Sequence, residues 1–354
     1  MKIKDLTINV LLLFVSTLLS IAFVITVLEV RQLINLTPSL RYSWKNPNTK
    51  FDSELGWSPI LNRRVKCPDG WQKGILSSNS QGFRSAEIDP TKKAIIVIGD
   101  SVAFGAGVND KHIFSYLLDR MVSDKGYQVS NLAVSGYNLE QYYLFLNKHI
   151  NKLKNITHIV LVFCTYNDLL SIGSNVLYET RKPYFRIINN QLILKGNNIK
   201  KYCLRNLLSR SLFLSRFHPY HGRIGTFLSK IAGDKALAIN FNDQGTSEIG
   251  FIANLIIQRI YNLARNHNAK LLVVISPSRN DFVEPFPFLR WFQAVFKGSI
   301  NKNNNKLETI DFISYINKED VDKIFALNDI VHYSPEGHRL LAKTVYEHLF
   351  ETVK

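Results

Sequence analysis

From Lys93 onward, short runs of apolar and mostly β-branched residues alternate with longer segments in which apolar residues recur at helical spacing. Strands buried on both faces of a parallel sheet have this continuous apolar character. The pattern predicts an α/β fold with three layers, α/β/α, around a central parallel sheet of about five strands. The predicted strands are Lys93–Ile98, Gln128–Leu132, His158–Phe163, Lys270–Ile275 and Thr309–Ile313; the predicted helices cover about Lys111–Lys125, Leu139–Leu153, Ser247–Asn266 and Pro335–Phe350.

An insertion at about residues 172–243 interrupts this alternation. Within it, Tyr184–Leu194 is predicted to form two strands around an Asn189-Asn190 turn, because Asn tolerates the positive φ of tight hairpins. Ile199–Phe217 is predicted to be an amphipathic helix. Its apolar side is expected to pack on its own domain, and contact with a membrane or a role as a lid is the alternative.

The N-terminal segment Thr7–Leu28 contains no charged residue and is dominated by Leu, Val, Ile and Phe. As a helix it is about 33 Å long, enough to cross a bilayer core of roughly 30 Å. We therefore predict a leader and transmembrane anchor over residues 1–30, with a cleaved signal peptide as the alternative. Lysines precede the span and basic residues also follow it, so the charges do not fix its orientation. The usual signal-anchor layout places the larger part outside the cytoplasm, in the periplasm.

Residues 31–92 are polar and poor in periodicity, and we predict a stalk and lead-in here, with Leu55–Pro59 and Gly82–Arg84 as ordered points. The third region, residues 93–354, is then one large domain. Of the three cysteines, Cys164 lies in an apolar strand and is expected to be buried. Cys67 and Cys203 remain as a possible disulfide.

The formal net charge of +16 is concentrated partly between Glu179 and Lys230, where basic residues far outnumber acidic ones. In a membrane-anchored protein, anionic lipid headgroups or acidic envelope polymers are better partners for this charge than nucleic acid. A solvated basic surface without a partner is the alternative.

The first predicted strand leads directly into Gly99-Asp100-Ser101, and Asp329-Ile-Val-His332 occurs far downstream. Ligands of open α/β sheets bind outside the carboxyl ends of the strands, where Ser101 is predicted. A loop entering the last helix can bring the Asp329 carboxylate to Nδ1 of His332 and leave Nε2 for Ser101. Ser101 is thus a candidate nucleophile, His332 its base and Asp329 the residue that orients the base. Taken alone, the Asp and His are also compatible with ordinary helix N-capping.

Acyl transfer needs donors for the tetrahedral oxyanion. The loops after the second and third predicted strands supply them, as the backbone N–H of Gly136 and the side-chain amide of Asn167. Because parallel strands bring their carboxyl ends together, Ser101, Gly136 and Asn167 are expected to line one cleft.

In order and approximate spacing, Gly99-Asp100-Ser101, Gly136, Tyr166-Asn167-Asp168 and Asp329-Ile-Val-His332 resemble the four signature blocks of the SGNH (GDSL-type) hydrolases. This resemblance implies a flavodoxin-like sheet, a nucleophile at Ser101, a base at His332, and an oxyanion hole formed by the N–H of Ser101, Gly136 and Asn167. The lead-in residues Glu54–Trp57 and Gln81–Arg84 look like those of the membrane-anchored bacterial members. Ala133 departs from the glycine that many members have there.

Other candidate sites are weaker. Asp100 and Asp168 are better explained as turn and N-cap acceptors than as a glycosidase pair. His338 is expected to pack inside the domain, and no other histidine has metal-ligand spacing, so neither a metal nor a cofactor is predicted. Gly105 and Gly107 are not followed by the Lys of a phosphate-binding loop.

We therefore expect a serine esterase that acts through an acyl-enzyme on O-acyl groups of an envelope glycan. An O-acyltransferase with the same site is one alternative, because only the attacking hydroxyl differs. A phospholipid is a less favoured substrate. A catalytically silent domain that binds a glycan or a partner is the alternative from another class.

Overall fold

A computed structural model of the protein describes residues 12–27, 48–66, 75–164, 168, 172–177, 180–189, 191–199, 243–282 and 307–351. The strands are β1 (Thr49–Asp52), β2 (Gly56–Pro59), β3 (Arg64–Lys66), β4 (Ile75–Ser77), β5 (Lys93–Gly99), β6 (Tyr127–Asn131), β7 (Ile156–Cys164), β8 (Val176–Leu177), β9 (Thr180–Arg181), β10 (Tyr184–Ile188), β11 (Gln191–Lys195), β12 (Lys270–Ser276) and β13 (Glu308–Asp311). The α-helices are α1 (residues 12–27, as far as described), α2 (Ser101–Phe104), α3 (Phe114–Val122), α4 (Leu139–His149), α5 (Asp243–Asn266), α6 (Val321–Ile324) and α7 (Pro335–Phe350).

The main sheet has five strands in the order β13-β12-β7-β5-β6. Each neighbouring pair in it is parallel, so the predicted central parallel sheet is confirmed. β5 pairs with β6 on one side and with β7 on the other, which means that the chain leaves β5 and β6 in opposite directions across the sheet. Such a switch point opens a crevice beyond the carboxyl ends of the strands, and Ser101 follows β5 directly.

Alternate residues of β5 pack on opposite faces of the sheet. Ile95 and Val97 belong to a core cluster that includes residues of α3 and α7. Ile96 and Ile98 belong to the opposite cluster, which includes residues of α4 and α5. Because successive strand side chains point to opposite faces, one apolar run fills both cores and produces the three layers.

Some predicted boundaries shift by a few residues. The helix predicted at 111–125 consists of α3 between two short 3-10 helices, Asp110–His112 and Ser123–Lys125. The helix predicted at 139–153 ends as α4 at His149 and continues as a 3-10 turn, Ile150–Lys152. α5 begins at Asp243, four residues earlier than predicted. The last strand, β13, ends at Asp311 and is followed by a 3-10 turn.

Part of the lead-in packs on the domain and differs from the expected stalk. β1 with β2 and β3 with β4 form antiparallel hairpins. Leu55, Trp57 and Phe83 are at most 2% exposed and join the core cluster on the α4 and α5 side. Strands of three or four residues contain too few alternating positions to give a periodic signal, which explains why the sequence pattern suggested a stalk.

The described part of the insertion is also packed against the domain. β10 and β11 pair as an antiparallel hairpin in which Ile188 lies opposite Gln191 and Asn189 has φ of 50°. The hairpin predicted from the Asn-Asn turn is therefore confirmed. Arg259 of α5 donates to the carbonyl of Leu192 at 2.7 Å. The amphipathic helix predicted after Ile199 lies outside the described residues, as do Cys67 and Cys203.

The sheet and its flanking helices belong to a compact unit within Asn46–Ile199 and Ala236–Lys354, and α1 belongs to a separate one. Of the helices that the structure describes, none combines the length and the apolar character needed to cross a membrane. Both ends of the segment Thr7–Leu28 lie outside the described residues, and the anchor stays a prediction.

Candidate active site

Ser101 occupies the first position of α2, directly after β5. Asp100 caps the helix, because its carboxylate accepts the Val102 N–H at 2.8 Å. Gly99 permits the close packing of this turn, since a Cβ there would lie 2.5 Å from Cβ of Ala103 and 2.8 Å from the Val162 carbonyl oxygen. The chain thus turns sharply from strand to helix at the sheet edge, and Ser101 remains 6% exposed.

His332 joins Ser101 to Asp329. Its Nε2 lies 2.8 Å from Ser101 Oγ, and its Nδ1 lies 2.7 Å from Asp329 Oδ2. The other Asp329 oxygen accepts the N–H groups of Val331 and His332, both at 2.9 Å. The structure therefore brings the three predicted catalytic side chains into one hydrogen-bonded chain across 231 residues of sequence.

The ionisation of Asp329 fixes the direction of these hydrogen bonds. Burial raises the pKa of the Asp329 carboxyl, but the hydrogen bond and charge of His332, with two backbone N–H groups, lower it more. The net result is a pKa well below the ordinary value, so Asp329 is an acceptor only. The shared proton consequently lies on Nδ1, and the Nε2 lone pair is available to accept the Ser101 hydroxyl.

The backbone of His332 is held by a short antiparallel contact. Phe325 forms a bridge with Tyr333, and the Ala326 N–H donates to the His332 carbonyl at 2.8 Å. Asn328 has φ of 59° within the turn that leads to Asp329. The loop therefore has backbone restraints on both sides of its two catalytic candidates, as preorganised catalysis requires.

Arg279 is a supporting residue that sequence reasoning missed. Its side-chain Nε donates to the Asp329 carbonyl at 3.2 Å, and its guanidinium pairs with Asp322. Its backbone N–H donates to the Ile330 carbonyl at 2.7 Å. Arg279 lies just after β12, the fourth strand of the sheet in chain order. That position was the available signal, because side chains after parallel strands lie at the same sheet edge.

Arg84 supports the nucleophile turn from the other side. Its side chain is 1% exposed and pairs with Asp110 at 2.8 Å. Nη1 donates to the carbonyls of Phe104 and Gly105, at 3.0 and 2.7 Å, where α2 ends. Positive charge beside the C-terminus of a helix is favourable. The sequence marked Gly82–Arg84 as an ordered point but gave no indication that Arg84 bonds to the end of α2.

The loop after β6 carries Gly136. Leu132 and Val134 donate to the carbonyls of Val97 and Gly99, at 2.8 and 3.1 Å, which continues the parallel ladder toward the Ser101 end. Gly136 has φ of 80°, and the Tyr137 N–H donates to the Val134 carbonyl at 3.1 Å. These features are those of a type II turn with glycine at its third position. Asn167, the other predicted donor, lies outside the described residues.

Asp100 and Asp168 both accept backbone N–H groups, as predicted. The Asp168 carboxylate is fully buried and accepts the Cys164 N–H at 2.8 Å and the Tyr142 hydroxyl at 2.5 Å. Burial and the neighbouring charge of Asp100 raise the pKa of Asp168 well above its ordinary value. These hydrogen bonds tie Asp168 to the end of β7.

His338 packs inside the domain, as expected from its position in the last helix. It is 1% exposed, its Nδ1 accepts the Phe114 N–H at 3.3 Å, and its ring stacks on that of Phe114. Within the described ranges, no cluster of three or more His, Cys, Asp or Glu side chains could hold a metal ion.

No protein-family model matches the chain, and no curated protein matches it significantly. Among solved structures, the chain is similar to a member of the lipolytic protein G-D-S-L family from Veillonella parvula, at 14% identity, with 74% of this chain and 100% of that chain covered and a TM-score of 0.43. It is also similar to a psychrotrophic esterase from Pseudoalteromonas, at 11% identity, with 73% and 98% covered and a TM-score of 0.41. An acetyl xylan esterase is similar at 14% identity, with 73% and 100% covered and a TM-score of 0.39. The catalytic interpretation depends on the geometry of Ser101, His332 and Asp329.

Proposed function

We propose that this protein is a serine esterase that cleaves its substrate through an acyl-enzyme on Ser101. The observation that carries the proposal is the continuous hydrogen-bonded chain from Ser101 Oγ through His332 to Asp329, at 2.8 and 2.7 Å. A serine hydroxyl is a weak nucleophile unless a positioned base takes its proton. A base with a fixed tautomer, at the sheet edge where ligands bind, meets that need.

In the first half of the reaction, Ser101 Oγ attacks the ester carbonyl while His332 Nε2 takes its proton. The negative charge that develops on the carbonyl oxygen needs hydrogen-bond donors. We assign the N–H groups of Ser101 and Gly136 and the side-chain amide of Asn167 to this role. The Asp329 carboxylate stabilises the imidazolium.

His332 then gives the proton to the departing alkoxide oxygen, and the acyl group stays on Ser101. In the second half, water approaches the same face, His332 accepts its proton, and the hydroxyl attacks the acyl carbonyl. Collapse of the second tetrahedral intermediate returns the proton to Ser101 Oγ and releases the acid. A sugar hydroxyl in place of water would give an acyltransferase.

Covalent labelling with a fluorophosphonate tests the proposal. We expect the wild-type protein to gain one adduct, located on Ser101 by peptide mass spectrometry, and Ser101→Ala to gain none. Hydrolysis of a short-chain p-nitrophenyl ester should disappear in Ser101→Ala and His332→Ala. Ser278→Ala is a matched control, because Ser278 is also buried and follows a strand of the same sheet, but its hydroxyl bonds to Asp281. An unlabelled wild type, or equal labelling of Ser101→Ala, would refute the esterase.

For the substrate, we propose O-acyl groups of a cell-envelope glycan. The proposal is supported by the uncharged segment Thr7–Leu28, which suggests attachment to a membrane, and by the net charge of +16, which suits an acidic polymer. Incubation with isolated envelope polysaccharide should release acetate in a Ser101-dependent manner. Comparison with and without an added sugar acceptor then separates hydrolysis from transfer.

We also propose that Thr7–Leu28 anchors the protein with residues 31–354 outside the cytoplasm. External protease should degrade this region in spheroplasts while a cytoplasmic marker survives. Protection of the region would overturn the orientation, and recovery of the full chain in the soluble fraction would overturn the anchor.

A further inference from the structure

Trp57 contacts the Gly136 turn through two hydrogen bonds. This residue lies in β2 and is 2% exposed. Its indole N–H donates to the Ser135 carbonyl at 3.1 Å, and the Tyr137 hydroxyl donates to the Trp57 carbonyl at 2.5 Å. The rings of Trp57 and Tyr137 also pack with their centroids 5.5 Å apart. The residues on both sides of Gly136 are thus bound to one residue of the lead-in.

The first of these hydrogen bonds acts on the peptide unit that contains the oxyanion donor. The Ser135 carbonyl and the Gly136 N–H belong to the same planar group, and in a trans peptide they point in opposite directions. Once the Ser135 oxygen is directed at the Trp57 indole, the direction of the Gly136 N–H is also fixed. A hydrogen bond to the carbonyl further polarises the N–H, because linked hydrogen bonds strengthen one another.

This peptide is also the one that can reverse in a β-turn. Types I and II differ mainly by a flip of the central peptide, which places φ of the third residue near −90° in type I and near +80° in type II. Gly136 has φ of 80°, and glycine adopts both conformations readily. The turn sequence alone therefore leaves the direction of the N–H open, and the bond from Trp57 selects one of the two directions.

Neighbouring contacts hold Trp57 in place. Gln141, in the first turn of α4, donates from Nε2 to the Leu55 carbonyl at 2.8 Å. Asn138 and Gln141 form a capping box at the start of α4. The β1–β2 hairpin is therefore attached to the helix that follows the Gly136 turn.

We propose that Trp57 is a positioning residue for the oxyanion hole, holding the Ser135–Gly136 peptide in the orientation that directs the Gly136 N–H toward the developing charge. The inference depends on the proposed esterase function, since Gly136 has this role only there. It gives the lead-in a part in catalysis through Trp57, which acts on the peptide that carries the donor.

Trp57→Phe tests the proposal, because it removes the indole N–H and keeps an aromatic ring against Tyr137. Loss of one oxyanion donor typically lowers the rate by about 10²–10³, and we expect kcat for a p-nitrophenyl ester to fall by roughly 10-fold or more toward that limit. KM should change little, because the oxyanion forms only after binding. Affinity for an alkylboronic acid, whose adduct on Ser101 carries a tetrahedral oxyanion, should fall in parallel with kcat.

A double variant separates positioning from general support. Gly136→Ala disfavours the positive φ and should also reverse the peptide. Because both changes remove the same donor, kcat of Trp57→Phe/Gly136→Ala should equal that of the worse single variant. If the kcat losses of the two single variants instead multiply in the double variant, Trp57 acts elsewhere and the inference is overturned. If Trp57→Phe does not fold, Tyr137→Phe removes the other hydrogen bond of this contact, and a smaller kcat loss at constant KM is expected from it.

Ser78→Ala is the matched control. Ser78 is also buried in the lead-in, and its hydroxyl bonds within the lead-in: it donates to the Ile60 carbonyl at 2.5 Å and accepts the Arg63 N–H at 3.1 Å. The Ser78→Ala variant should have a lower denaturation midpoint and an unchanged kcat. Wild-type turnover that depends on Ser101, with an unchanged kcat in Trp57→Phe and in Tyr137→Phe, overturns the inference alone. Absence of Ser101-dependent turnover in the wild type overturns the proposed function and the inference with it.

Discussion

Glu140 and Lys182 form an ion pair in which both side chains are completely buried. The same Glu140 carboxylate accepts the backbone N–H groups of Gly173 and Phe185, at 3.0 and 2.8 Å. Glu140 lies in the first turn of α4, just after the Gly136 loop. It accepts one hydrogen bond from Asn138 at the helix cap, and its partners Gly173, Lys182 and Phe185 lie in the insertion. One carboxylate therefore attaches the described part of the insertion to the helix that begins beside the candidate oxyanion hole.

Lys182→Met should strongly destabilise the protein. Removing one partner of a buried ion pair leaves the other charge without compensation and typically costs about 3–5 kcal/mol. The midpoint of urea unfolding should fall accordingly, and Glu140→Gln in the same background should recover part of the loss. Lys148→Met is the control, because Lys148 pairs with Glu54 at the surface, with 43% of its side chain exposed. Equal losses for both lysines would contradict this assignment.

Asp329→Asn should lower kcat strongly and change the free energy of unfolding little. An amide can donate to Nδ1 and so hold the wrong tautomer of His332, and in a serine protease the same change lowers kcat about 10⁴-fold. We expect a loss of roughly 10³-fold or more with KM nearly unchanged, measured on a p-nitrophenyl ester. Asp322→Asn serves as the comparison, since this exposed carboxylate pairs with Arg279 outside the triad. Comparable activity of Asp329→Asn and wild type would remove Asp329 from the mechanism.

Gly99→Ala should disrupt the nucleophile turn. The added Cβ would lie within 2.8 Å of both Ala103 Cβ and the Val162 backbone oxygen, and neither can move without displacing α2 or β7. We expect loss of fluorophosphonate labelling and a lower melting temperature. Gly126→Ala is the control, because Gly126 also has a positive φ but open space around its Cβ position. A labelled and stable Gly99→Ala protein would show that the turn tolerates the clash.

The sequence carried enough information to predict the central sheet, because its strands are long apolar runs that bury both faces. The sequence also grouped Ser101, His332 and Asp329, through a serine that follows a strand and an Asp–His spacing at the start of the last helix, and these side chains lie in one hydrogen-bonded chain. The supporting contacts were not predictable. Trp57 with Ser135 and Glu140 with Lys182 join segments far apart in the chain, and neither the short β2 strand nor the insertion has a periodic pattern that reveals its partner.

Burial of His338 makes the stability of the protein depend on pH in the acid range. Desolvation, followed by the charge of Arg84, lowers the pKa of His338 from 6.5 to about 3. The unfolded chain therefore binds this proton first as the pH falls, and the folded state loses stability between about pH 6.5 and pH 3. The stability that depends on neutral His338 is on the order of 5 kcal/mol, is fully present above pH 6.5 and is absent below pH 3.

Urea unfolding at pH 4, 5, 6 and 7.5 measures this dependence. His338→Asn removes the titrating ring, so the slope of unfolding free energy against pH should be shallower than in wild type, although the variant loses packing at every pH. His267→Asn changes a partly exposed histidine that is not among the groups lowering the pKa of His338, and it should keep the wild-type slope. If the His338→Asn and wild-type curves run parallel from pH 4 to pH 7.5, the acid sensitivity arises elsewhere. A steeper wild-type curve would identify His338, which stacks on Phe114 and meets Tyr333 edge to face, as the source, because only a neutral imidazole fits that desolvated site.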